Sequence, residues 1–191
     1  MFQIQRMAEE RLWFIFLWTS ILATQAGPAG RNYFNALDIR KFYRTRHPIW
    51  CLQTTERTQY TCKVDVTRII TRDYVIFSRL YYWYIAKVNN TLEGVFQTGE
   101  KKATNPDRMM VHFPKIMFTE TEQVQYESSD SHCGVFLISS IAGTKHLELR
   151  VWNVSVHRVD RKCLAYFHFM AHKTRQLYKV LYNNTCQRII Q

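Results

Sequence analysis

No stretch of about 18 or more consecutive apolar residues occurs in this chain, so it carries no sequence signal for a membrane-spanning helix. Glycine-rich phosphate loops, a nucleophile elbow and a Ser/His/Asp arrangement in a recognisable setting are also missing, so no catalytic residue is assigned and no enzyme is expected. Paired catalytic histidines in a ribonuclease-like setting are absent too, and nucleic acid is not an expected partner. Internal repeats and low-complexity tracts are lacking, which fits one ordinary domain. Acidic residues are few: 15 stand against 26 Lys and Arg, a net charge of +11. Such a surplus favours anionic partners, a heparin-like glycan or an acidic protein among them. No run of five or six basic residues concentrates it, which fits equally a soluble basic surface without a partner.

What is present begins at the N-terminus. Leu12 to Ala23 is an apolar run of signal-peptide length, too short to span a bilayer, and Thr24-Gln25-Ala26 supplies the small residues of a cleavage site after Ala26. The expected organisation is a signal peptide at 1–26 and a single domain at 27–191, secreted and extracellular. In a secreted chain Asn89, Asn153 and Asn183 head three glycosylation sequons, which implies exposed positions. Five cysteines in such a chain read as a disulfide framework with one left over.

The body reads as strands. Tyr60 to Thr67 alternates, with Tyr60, Cys62, Val64 and Val66 on one face and Thr61, Lys63, Asp65 and Thr67 on the other. Asp73 to Tyr84 is β-branched and aromatic on both faces, as expected where one face meets a core and the other lines an enclosed space. Further strands are expected at 91–98, 108–113, 122–126, 133–141 and 147–155. Two helices frame them, over 35–44 and, behind a capping Asp160, over 160–172 with Cys163, Leu164, Phe167 and Met170/Ala171 on one stripe. Many short strands with hairpin-like breaks argue for a sandwich or an up-and-down barrel. On the second helix His168 and His172 stand four apart, but without an adjacent Glu or a third ligand; neither a metal site nor a cofactor is expected.

Six pieces in order carry a resemblance: Ile39-Arg40-Lys41-Phe42 with Pro48-Ile49-Trp50, Cys62-Lys63-Val64-Asp65-Val66, Leu92-Glu93-Gly94-Val95-Phe96, Cys133-Gly134-Val135-Phe136, Glu148-Leu149-Arg150-Val151-Trp152-Asn153, and Tyr182-Asn183-Asn184-Thr185-Cys186. Together, from about Asp38 to the C-terminus, they resemble the tick salivary lipocalins of the histamine-binding protein family. The resemblance implies an all-β fold, an eight-stranded antiparallel barrel with a short N-terminal helix and a C-terminal helix. It also implies disulfides Cys62–Cys186 and Cys133–Cys163. Cys51 is then left over, a departure from the family, and an odd secreted cysteine reads as either a buried thiol or a bridge between two otherwise monomeric chains.

The function implied is sequestration of a small host mediator in the barrel, in evasion of host defence. A captured biogenic amine such as histamine or serotonin needs carboxylates and aromatic faces. Asp38 and Glu148 match the family's two acids, whereas Arg40 and Arg150 replace its two tryptophans. That exchange raises a fatty-acid or eicosanoid lipid as the ligand, paired through Arg150. Glu93 is a third candidate acid, and Trp50 and Trp152 are candidate ligand-site aromatics. Alternation sets Glu148, Arg150 and Trp152 on one face and Leu147, Leu149 and Val151 on the other, and the inward face decides among these readings. The competing function is a non-enzymatic binder of a host protein or acidic glycan through the basic outer surface.

Overall fold

Among the described residues nine strands run in chain order: β1 (Ile49–Thr54), β2 (Tyr60–Ile70), β3 (Tyr74–Trp83), β4 (Ala86–Gln97), β5 (Arg108–His112), β6 (Thr119–Glu127), β7 (Cys133–Ser140), β8 (Lys145–Trp152) and the two-residue β9 (Lys179–Val180). They belong to a computed structural model that describes residues 37–99, 105–112 and 119–191. The expected signal segment at 1–26 lies outside the described residues, as do the first two residues of the expected N-terminal helix. Each of β2 to β7 pairs antiparallel with its successor, β8 pairs with β1, and β1 pairs with β2 through Ile49↔Asp65 and Trp50↔Val64. That last pairing closes the eight strands into a barrel, removing the free edges of an open sheet. β9 adds to the far side of β1 at Gln53↔Val180 and Thr54↔Lys179.

The expected strands reappear within a few residues of their predicted bounds, and β1 is an addition. Its sequence, Ile-Trp-Cys-Leu-Gln-Thr, is buried at five of six positions, so alternation is invisible in it. Trp50 and Leu52 face outward yet remain covered, while Ile49 and Cys51 face the lumen with the inward clusters.

Helix α1 (Ile39–Tyr43) is short because its one turn is held by a cap: the Asp38 carboxylate accepts the Lys41 amide at 3.2 Å. It stoppers one end of the barrel, burying Ile39, Phe42 and Tyr43 against Val75, Phe77, Leu92, Met109 and Phe136. The Phe42 ring fits because position 134 is glycine; a Cβ there would lie 3.0 Å from Phe42 and 2.7 Å from the Phe136 ring. The loops β1–β2, β3–β4 and β7–β8 surround the opposite end, the mouth.

Helix α2 (Arg161–Lys173) starts at Asp160, whose carboxylate accepts the Cys163 amide at 2.7 Å, and buries Cys163, Phe167 and Ala171 at four-residue spacing. It lies on the outside of the barrel over Val135, Leu147, Leu149 and Val151, where Tyr166 stacks on Tyr126 with ring centroids 5.2 Å apart. Disulfide Cys133–Cys163 fastens it to β7, and Cys62–Cys186 fastens the terminal 3-10 turn (Asn184–Ile190) to β2. Both pairings are those that the resemblance implies.

Candidate functional site: a charged lumen and its mouth

On β8 the hydrophobic residues turn outward, under α2, and the charged ones turn in. Glu148 and Arg150 are 0 and 1 % exposed. The same holds on β2 after a correction to its expected alternation. A bulge at Cys62, whose φ is +56°, shifts the pairing between Thr61 and Val64, so Tyr60 joins Lys63 and Asp65 on the lumen side. Lys63 and Asp65, from the polar face of the strand, lie in the buried interior of the barrel. β3 adds Arg79, and β6 adds Glu120 and Glu122 two residues apart.

These side chains form one network. Arg79 spans Asp65 in a bidentate pair, 2.7 Å on each arm, and donates to Glu120 at 3.0 Å and Glu122 at 2.8 Å. Arg150 pairs with both oxygens of Glu122 and donates from Nε to Glu148 at 2.8 Å. Lys63 reaches the other Glu148 oxygen at 2.5 Å. The Tyr43 hydroxyl, rising from α1, accepts from Arg150 and lies against Asp65 and Glu122. Phe136 and Phe77 present their faces to the Arg150 and Arg79 guanidinium groups at 4.7 and 5.2 Å.

The electrostatics follow from burial working against every charge and the partners working for it. Burial alone would raise the carboxyls of Glu148 and Glu122, but Lys63 and Arg150 hold Glu148, and Arg150 and Arg79 hold Glu122, well below the ordinary range. Glu120 is different: burial outweighs the pull of Arg79, Glu122 adds repulsion, and its carboxyl is pushed up. Among the described residues of the lumen, four carboxylates (Asp65, Glu120, Glu122, Glu148) face three permanent cations (Lys63, Arg79, Arg150). The surplus negative charge falls on Glu120, the member of the four with the most exposed side chain.

Glu120 opens on a pocket of about 370 Å³ at the mouth, where Tyr60, Tyr81 and Trp83 supply aromatic wall and Glu56 and His146 stand on the β1–β2 and β8 side. Lys63 and Arg79 close its floor, and the exposed Arg57 stands at its rim. A wider hollow of about 1050 Å³ shares Glu56, Glu120 and His146 and runs on to Leu177 and Tyr178 beyond α2. Both volumes lie in or just above the range of small-molecule sites.

No protein-family model and no curated protein sequence matches the chain. A solved structure described as "The Siderocalin Ex-FABP functions through dual ligand specificities" superimposes with a TM-score of 0.54 at 10% identity, covering 73% of this chain and 94% of that one. The fold is that of the lipocalins. At so low an identity the likeness carries the architecture alone.

Within this lipocalin barrel the sequence-predicted residues scatter. Glu148 and Arg150 meet in the lumen. Asp38 caps α1 at the closed end and pairs with Arg40 at 3.4 Å. Trp50 lies outside the barrel wall, fully buried, its indole donating to Asn153 at 2.8 Å and its ring against Tyr182. Trp152 packs on Phe42 and donates to the Phe42 carbonyl, again at the closed end. Glu93 is exposed on β4. Asn89 and Asn183 are exposed, whereas the half-buried Asn153 accepts from Trp50 and Gln187 through its side-chain oxygen. Cys51 is a buried thiol facing the lumen, pushed up by burial and by Glu148, out of reach of a second chain. His168 donates to or accepts from Gln53 at 3.0 Å, and His172 is exposed.

Glu56, Tyr60, Lys63, Asp65, Arg79, Glu120, Glu122 and His146 are site residues that the sequence reading does not single out. Charge at period two is the signal for Lys63/Asp65 and Glu120/Glu122, which occupy i and i+2 on a strand as Glu148/Arg150 do; Glu56, Tyr60 and Arg79 carry no such signal.

Proposed function

We propose that this chain is a secreted, non-enzymatic lipocalin that sequesters a small organic cation, an aromatic biogenic amine such as histamine or serotonin, at the mouth of its barrel. The observation that carries the reading is the surplus carboxylate, Glu120, at the floor of a pocket walled by Tyr60, Tyr81 and Trp83. A protonated amine entering it would gain the carboxylate and aromatic faces in exchange for its hydration. It would also relieve the cost of holding a fourth acid beside three cations.

The lipid alternative loses its anchor. Arg150 is 1 % exposed and already paired with two carboxylates, so a fatty-acid headgroup would have to displace Glu122 or Glu148. Among the described residues the closed end of the lumen is filled by Phe42, Phe77, Met109 and Phe136. Secretion, the 1–26 leader and a role against host mediators rest on the sequence reading. The two disulfides fit an oxidising compartment.

Native mass spectrometry of the oxidised protein against histamine, serotonin, arachidonate and a leukotriene tests the proposal. One amine bound per chain, insensitive to added salt, is the expected result. A lipid bound in place of an amine would refute it. Binding confined to an anionic glycan and weakening steeply with salt would move the function to the basic outer surface.

A further inference from the structure

We infer that the mouth carries a site for a divalent transition metal of the zinc type, formed by His146, Glu56 and Glu148. The inference starts from an unpaired atom. His146 Nε2 is buried and has no hydrogen-bond partner among the described residues, although it points between two carboxylates. It lies 3.4 Å from Glu56 Oε2 and 3.5 Å from Glu148 Oε1, and neither contact is aligned as a hydrogen bond. All three ligand atoms lie within 4.8 Å of one another.

Those spacings suit a metal better than a proton. Two atoms bound to one tetrahedral zinc, at the usual Zn–N and Zn–O lengths, lie about 3.3 to 3.5 Å apart. Both histidine–carboxylate edges of the cluster already have that length. Imidazole and carboxylate are both zinc donors, and three protein ligands leave the fourth position for water or a ligand from the pocket. Outer partners are in place as well. The Tyr60 hydroxyl donates to the same Glu56 oxygen at 2.5 Å, and Arg150 holds the second oxygen of Glu148. Such partners orient metal-binding carboxylates.

Lys63 is the competitor, since its ammonium occupies the Glu148 oxygen that faces His146. Binding a metal requires that ammonium to withdraw along its flexible stem. The surplus negative charge of the lumen and of Glu56 favours the exchange. This inference does not depend on the amine reading, because its test contains no amine.

The test is titration of the intact, oxidised protein with cobalt(II), read by visible absorption and followed by displacement with zinc(II). The expected result is a d–d band of a four- or five-coordinate site that saturates at one equivalent and is abolished by zinc. His146→Ala removes the band, and Glu56→Gln, a change at the rim that leaves the core untouched, weakens binding at least about tenfold. Lys63→Met, which deletes the competing ammonium, tightens it. A His168→Ala/His172→Ala double variant keeps the band, separating this site from the helix α2 pair. Absence of the band in the parent protein, or its survival in both His146→Ala and Glu56→Gln, overturns the inference.

Discussion

The two faces of β8 are chemically opposite, and in the reverse of the usual sense. Outward, Leu147, Leu149 and Val151 disappear beneath α2; inward, Glu148 and Arg150 disappear into the lumen. Both faces are water-excluded, but for different reasons. The outer face is buried by apolar contact with a helix, and its energy scales with area. The inner face is buried by closure of the barrel, and its charges persist only because each has a partner. A closed barrel can therefore keep its packing core on the outside and reserve the inside for a polar lattice with one acid in surplus.

The largest expected effect tests whether the inner lattice depends on its pairs. Arg150→Ala leaves Glu122 and Glu148 buried with one cation fewer each and should lose about 3 to 5 kcal/mol of stability by urea denaturation. A loss under about 1 kcal/mol would mean that water reaches these acids, and the contrast between faces would collapse. Next comes the outer face. Removing Cys133–Cys163 by paired alanines frees α2 from β7 across a sequence separation of 30, a change of about 3.6 kcal/mol in the chain-entropy description. The lumen network should survive it, so amine binding should change less than stability does.

Acid supplies a third test. Glu122 and Glu148 have folded-state pKa values well below the ordinary 4.5, so the unfolded chain takes up protons that the folded barrel refuses. Their contribution is complete above about pH 4.5 and is lost as pH falls toward their depressed values. Glu120 runs the other way: its raised value favours the protonated acid in the fold, a contribution lost as pH rises through that value. With Asp107 and Asp130 also held below the ordinary range and Glu127 also pushed up, four depressed acids against two raised ones among the described residues should make urea midpoints fall steeply between about pH 5 and about pH 3. The smallest effect belongs to Glu93→Gln on the exposed side of β4, within about 0.5 kcal/mol and without effect on ligand binding.

Much of the barrel was legible in the sequence, because turns, caps and apolar alternation are local. Asp160 announces α2, and Cys163, Phe167 and Ala171 announce its buried stripe. Alternation marks two faces but cannot say which is inside, and on β2 and β8 the intuitive choice of solvent for the charged face is the wrong one. β1 was hidden for a related reason, being apolar on both faces. The bulge at Cys62 was invisible, since nothing in Tyr-Thr-Cys-Lys-Val marks a residue at positive φ. The site itself was legible only at Glu148 and Arg150. Glu120, His146 and Glu56 come from three separate strands and loops, and only closure of the barrel brings them to one mouth. Asp38, picked for its match to a family acid, has a complete local occupation as a helix cap.

The measurement that bears most directly on the surplus carboxylate is calorimetric titration of histamine and of serotonin into the parent protein and into Glu120→Gln. That variant keeps the shape of the mouth, leaves three carboxylates against three cations and removes the charge assigned to the guest. The account predicts one site per chain for at least one of the two amines and affinity lower by at least about tenfold in the variant, about 1.4 kcal/mol. Equal amine affinity in parent and variant, or no amine binding alongside tight arachidonate binding, would contradict it.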